Sequence, residues 1–84
     1  MGYIKFRFNA DQVQTAKQYT LNCIDVTFIN SGTSTAFVEN LNLPPGTSFS
    51  IQGNLGELCT ESVNISFSAG GTNLLQIVQR SYAL

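Results

Sequence analysis

Apolar and polar residues alternate along most of this chain. In Tyr3-Ile4-Lys5-Phe6-Arg7-Phe8, the residues Ile4, Phe6 and Phe8 fall on one face and Tyr3, Lys5 and Arg7 on the other. That period of two predicts a strand with one buried side. Cys23-Ile24-Asp25-Val26-Thr27-Phe28-Ile29 repeats the pattern with dense β-branched residues. It stops at Asn30-Ser31-Gly32-Thr33, a turn signature in which Gly32 accepts positive φ. Thr35-Ala36-Phe37-Val38-Glu39 then returns, so residues 23–39 read as a β-hairpin. In Leu43-Pro44-Pro45-Gly46-Thr47, Pro45 presets the first corner of a turn and Gly46 suits the second. Pro44 keeps Leu43 out of the helical region. Phe49 and Ile51 follow, alternating with Ser48, Ser50 and Gln52 as in another strand with one side buried.

Val63-Asn64-Ile65-Ser66-Phe67-Ser68 alternates again, and Ala69-Gly70-Gly71-Thr72-Asn73 reads as a hairpin turn. Residues 74–82 form a closing strand whose apolar residues lie on both sides, which predicts a central, covered position. Residues 9–18 fit a short helical turn capped by Asn9, or an irregular connection. The expected fold is all-β, a small antiparallel β-sandwich or barrel of about six to seven strands. The 84 residues make one domain, 1–84, with residues 1–20 an N-terminal arm or an edge strand.

Composition narrows the function. Charged residues make up 11% of the chain, against roughly 25% in typical domains. The surface is therefore covered by Asn, Ser, Thr, Gln and Gly, whose short side chains cost little entropy to immobilise against other protein. Few charges also leave edge strands without their usual Lys and Glu guards. The net charge of −1 rests on four basic residues and offers no patch for phosphates, which argues against nucleic acid. No apolar run approaches the roughly 20 residues needed to span a bilayer, and "MGYIKFRFNA" lacks the apolar core of a signal peptide.

Catalytic chemistry is sparse. There is no histidine, and two cysteines without one make a poor zinc site, so no metal, cofactor or catalytic residue is assigned. Glu57 and Glu61 flank Cys59 and would disfavour its thiolate; they read as solvated loop charges. A Cys23–Cys59 bridge would restrict the unfolded chain by roughly 4 kcal/mol, but without a secretion signal free buried thiols are expected. Asp25, on the polar face of its strand, is expected to be exposed or to have a cross-strand partner. Tyr3, Tyr19 and Tyr82 are candidates for a sugar-stacking platform. The residues thus point to a chain that adheres. Ile4, Phe6 and Phe8, with Tyr82 and Leu84 at the apolar C-terminus, are the expected subunit contacts. The loops at 32–34, 53–57 and 70–73 are expected to be exposed.

Residues 28–38 ("FINSGTSTAFV"), "LNLPPGTSFSIQGNLGE" and "VNISFSAGGTNLLQIVQRSY" together resemble small β modules of phage virion proteins, of the capsid decoration or head-surface kind. In those modules "N-x-G-[ST]" turns lead to "L-x-P-G-x-[ST]" turns and a closing "NNL-x-[VI]" strand. The resemblance covers roughly residues 23–82 and is one of turns and strands; similar cadences occur in bacterial surface β-domains. It implies a non-enzymatic virion structural protein, made in the host cytoplasm without a signal peptide. Such a protein assembles in many copies, as a small homo-oligomer such as a trimer, on a larger partner such as a capsid protein. It transfers no functional residues. The alternative is a carbohydrate- or receptor-binding β module that uses the exposed loops.

Overall fold

The computed structural model describes residues 6–54 and 57–82. They hold eight strands: β1 (Phe6–Val13), β2 (Lys17–Thr20), β3 (Asp25–Asn30), β4 (Ala36–Val38), β5 (Leu41–Leu43), β6 (Ser48–Ile51), β7 (Ser62–Phe67) and β8 (Leu75–Tyr82). Two four-stranded antiparallel sheets result, ordered β1-β8-β3-β6 and β2-β7-β4-β5. The fold is all-β as the alternation predicts, with eight strands rather than six or seven.

The strand order has a simple origin. β1 pairs with β8, β2 with β7, β3 with β6 and β4 with β5. The chain is therefore one long antiparallel ribbon whose tip is the turn Glu39-Asn40. Rolling the ribbon brings β8 beside β3 and β7 beside β4, which completes both sheets. This winding is the double-sheet jelly roll. Only the β4–β5 connection stays within a sheet; each other connection crosses between them.

That crossing corrects two expected hairpins. β3 and β4 lie in different sheets, so residues 23–39 are not a hairpin, and residues 69–73 likewise lead from one sheet to the other. Gly and Asn supply the bend, but not the edge that the next strand pairs with. Residues 9–18 are also corrected: they form the rest of β1, a short connection, and the start of β2. Their polar side chains suit strands at sheet edges, where β1 and β2 both lie. The Pro-Pro-Gly turn forms as expected. Gly46 has φ of 81°, and Thr47 donates to the Pro44 carbonyl from its N–H (3.2 Å) and its Oγ1 (2.6 Å).

Val26 and Phe28 of β3 and Leu75 and Ile77 of β8 fill the space between the sheets. Facing them are Ile65 of β7, Ala36 and Val38 of β4, and Leu43 of β5, while Leu21 and Cys23 cover the passage from β2 to β3. β8 sits centrally between β1 and β3, as its two-sided apolar content predicts.

One end of this core is closed by a buried polar side chain. Asn30, 1% exposed, donates from Nδ2 to the carbonyls of Ser34 and Leu43, both at 2.8 Å. Its Oδ1 accepts from the Gly32 N–H at 3.1 Å. Its main chain bonds the proline turn, accepting from Gly46 N–H and donating to the Thr47 carbonyl, both at 2.9 Å. Asn30 thus fastens the end of β3 to the β3–β4 connection, to β5 and to the turn before β6. Nearby, residues 32–34 are knitted to residues 72–74 by main-chain bonds from Thr33 and Ser34 to Thr72 and from Gly32 to Leu74. A Cβ on Gly32 would collide with the Thr72 carbonyl, so only glycine fits there. The expected exposed loop at 32–34 is accordingly half-buried or buried at Gly32 and Ser34.

Replacing Asn30 with Ala leaves the Ser34 and Leu43 carbonyls buried without a donor, at about 1–3 kcal/mol for each such group. The expected outcome is a loss of about 3 kcal/mol or more in urea unfolding.

Candidate functional site

The two sheets close over each other at their centres and part at both sides. On the β5–β6 side the opening is apolar. Phe49 and Ile51 of edge strand β6 are 39% and 44% exposed, and Leu41 of edge strand β5 is 37% exposed. They border a groove of about 420 Å³ that reaches Phe28 and Val38 of the core. At its rim Glu39 has a φ of 55°, a left-handed backbone unusual outside glycine. Two bonds to β7 hold it: the Glu39 N–H donates to the Asn64 carbonyl (2.9 Å), and the Asn64 N–H donates to Glu39 Oε2 (2.6 Å).

On the β1–β2 side the opening is polar. A cleft of about 630 Å³ is lined by Arg7, Asn9, Tyr19, Asn22, Gln79 and Tyr82, among others. Tyr19 Oη donates to Asp11 Oδ2 at 3.0 Å and accepts from Gln79 Nε2 at 2.9 Å. Gln79 Oε1 accepts from the Asn22 N–H at 3.4 Å, so both ends of this buried amide are satisfied. Burial pushes the Tyr19 phenol up to about 12, with the hydrogen bond and negative charge of Asp11 adding to the effect and the Gln79 bond opposing it.

β1 is largely exposed. The described side chains from Arg7 to Gln12 are all exposed, and Val13 alone is buried. Phe8 is 68% exposed, on the outer face of its sheet, in register with Arg80 and close to Val78 and Thr27. Arg80 forms an ion pair with Asp25, the cross-strand partner expected for that carboxylate. The expectation that Phe8 lies on a buried face is therefore corrected. Alternation marks two faces, and here the inner one carries Arg7, Asn9, Asp11 and Val13.

The remaining expected contact residues divide. Phe6 begins β1 opposite Tyr82, which is half-buried at the end of β8. Ile4 and Leu84 lie outside the described residues, as do Tyr3, Leu55 and Gly56. Tyr19 and Tyr82 share the polar cleft. The 70–73 loop is exposed at Gly70 to Thr72 and half-buried at Asn73. Of the 53–57 loop, Gly53 is half-buried and Asn54 and Glu57 are exposed, with Asn54 N–H donating to Glu57 Oε1 (2.6 Å) and Glu57 N–H to the Asn54 carbonyl (3.0 Å). Glu57 and Glu61 are exposed, as solvated charges are.

The two cysteines are free thiols, but they stand directly opposite each other. Their main chains exchange both hydrogen bonds, Cys23 N–H to Cys59 carbonyl at 3.1 Å and Cys59 N–H to Cys23 carbonyl at 2.7 Å. Such pairs have Cα atoms roughly 5.5 Å apart, a spacing that a disulfide accepts. The pair continues the β2–β7 register where the ribbon passes between sheets. Burial, then the neighbouring Cys59 and Asp25, raise the Cys23 thiol above its ordinary value, so Cys23 is not an activated nucleophile.

Compared with protein-family models, with curated proteins and with solved structures, the chain matches none.

Two outcomes follow from this geometry. Between pH 10 and about 12 the unfolded chain has released the Tyr19 proton that the folded chain still holds, so stability falls as pH rises through that window. Tyr19→Phe is expected to lose about 1 kcal/mol at neutral pH and to flatten the alkaline part of a stability-versus-pH curve measured by urea unfolding. Oxidation with a small disulfide is expected to join Cys23 to Cys59 within one chain, read as the loss of two hydrogens in intact mass and a linked peptide pair after digestion.

Proposed function

We propose that this protein is a non-enzymatic structural module that acts by lateral assembly, as a capsid decoration or head-surface component of a phage virion. The observation that carries this reading is the state of its sheet edges. Edge strands β1 and β6 display Phe8, Phe49 and Ile51 to solvent, and no lysine lies on either strand. Monomeric proteins usually guard such edges with charge, proline or a covering element, because an open edge recruits another chain. The jelly-roll winding is consistent with the reading, since viral capsid and lectin domains use it; a fold alone does not assign a function, so the weight rests on the edges. The proposed partners are other copies of the chain and a larger virion protein, with no role for nucleic acid or membrane.

A second reading, a glycan- or receptor-binding module, is favoured by one observation. The half-buried Tyr82 shares a cleft with the exposed amides of Asn9 and Asn22, and a flat ring beside amide groups suits a neutral saccharide.

Sedimentation from micromolar to millimolar concentration tests the first reading, with an expected rise in mass above that of one chain. Strictly monomeric behaviour throughout overturns it. Saturable glycan-array binding that Tyr82→Ala abolishes would put the second reading in its place.

A further inference from the structure

β1 lies at the end of its sheet, with β8 on one side and no strand among the described residues on the other. Arg7 and Asp11 are the charged residues of β1, four positions apart and on the same face. Asp11 shows which face this is, because its Oδ2 accepts the bond from Tyr19 on the opposite sheet. Among the described residues Arg7 makes no ion pair. A strand guarded against association carries charges of one sign, which repel when the strand meets a copy of itself. Two opposite charges at this spacing do the reverse.

Resting on the reading of the protein as an assembling module, we propose that the free edge of β1 is a self-complementary dimer contact. The strand pairs antiparallel with β1 of a second copy about a two-fold axis through Asn9. In this register Arg7 faces Asp11 of the second copy, Phe8 faces Ala10, and Asn9 faces Asn9. The symmetry makes the ion pair twice.

Other registers lose this match. Sliding by two residues sets Arg7 opposite Asn9 or Val13. Sliding by one sets Arg7 opposite Ala10 or Gln12 and turns the two inner faces to opposite sides. The proposed register keeps Arg7, Asn9 and Asp11 of both copies on one side. The two four-stranded sheets become one eight-stranded sheet, and the two polar clefts open toward each other across the axis. Asp11 keeps its bond from Tyr19, since a carboxylate accepts several donors. Phe8, 68% exposed in the single chain, gains a cross-strand neighbour on the outer face. The contact is isologous and closes on itself, so its smallest assembly is a dimer, in place of the trimer that the resemblance implies.

The test is sedimentation equilibrium on the full chain, on Arg7→Glu, on Asp11→Lys, and on an equimolar mixture of the two variants. Each variant alone sets like charges opposite each other twice, and its dissociation constant is expected to rise about ten-fold or more. In the mixture one copy of each brings opposite charges together at both positions, and association returns. High salt is expected to weaken the parent dimer. Arg7→Glu removes no side-chain hydrogen bond among the described residues, and its thermal melt is expected to match that of the parent at concentrations low enough for both to be monomeric. If the parent associates but neither variant changes the affinity, the β1 contact is overturned while assembly through another surface stands. If the parent stays monomeric throughout, the assembly reading falls with it.

Discussion

The structure depends on a buried amide at the end of β3. A rolled ribbon passes repeatedly from one sheet to the other, and each passage leaves main-chain groups without ladder partners. At the most crowded of these passages Asn30 supplies both donors and acceptors, to the β3–β4 connection, to Leu43 and to the proline turn. An apolar residue there would fill the space and strand those carbonyls. The core beside it is assembled from a short chain whose burial is modest, so a loss at this point is not easily offset elsewhere. Gly32, pressed against Thr72, is part of the same constraint.

The opposite requirement operates at the sides of the sandwich. One opening is left apolar, at Leu41, Phe49 and Ile51; the other is finished with the bonded set Asp11, Tyr19 and Gln79. The surface that results has few charges and two unlike sides. That difference is what makes an assembling role physically reasonable, since unlike sides allow one chain to make more than one kind of contact.

Much of this was legible in the alternation. The strands at Val26 and Phe28, at Ile65, and at Leu75 and Ile77 were found because β-branched and aromatic residues recur at period two there. The central place of β8 followed from its two-sided apolar content. What escaped has physical reasons. Asn30 continues the inward series of Val26 and Phe28, but next to Ser31 and Gly32 it reads as the start of a turn; Gln79 continues that of Leu75 and Ile77, in a strand whose apolar residues on both sides leave the inner face unmarked. β1 passes Asn9 and Asp11 without interruption because an edge over a polar cleft tolerates them; the shared parity of Arg7 and Asp11 was the available signal. Phe8 shows the limit of alternation, which separates two faces without saying which is inside. The sheet crossings could not be read at all, because the pairing of β1 with β8 is a property of the whole chain and of no local stretch.

The nested ribbon also imposes an order of assembly on the molecule itself. Its tip at Glu39-Asn40 joins strands that are neighbours in sequence and closes at small entropic cost, whereas β1 and β8 must meet across nearly the whole described chain. Loop-closure entropy therefore favours zipping outward from the tip, with the outermost rung last. β1 becomes a straight, registered edge only when β8 is already in place. Recognition through that edge would then act as an inspection of finished folding, admitting completed molecules to a larger structure and passing over those still unwound.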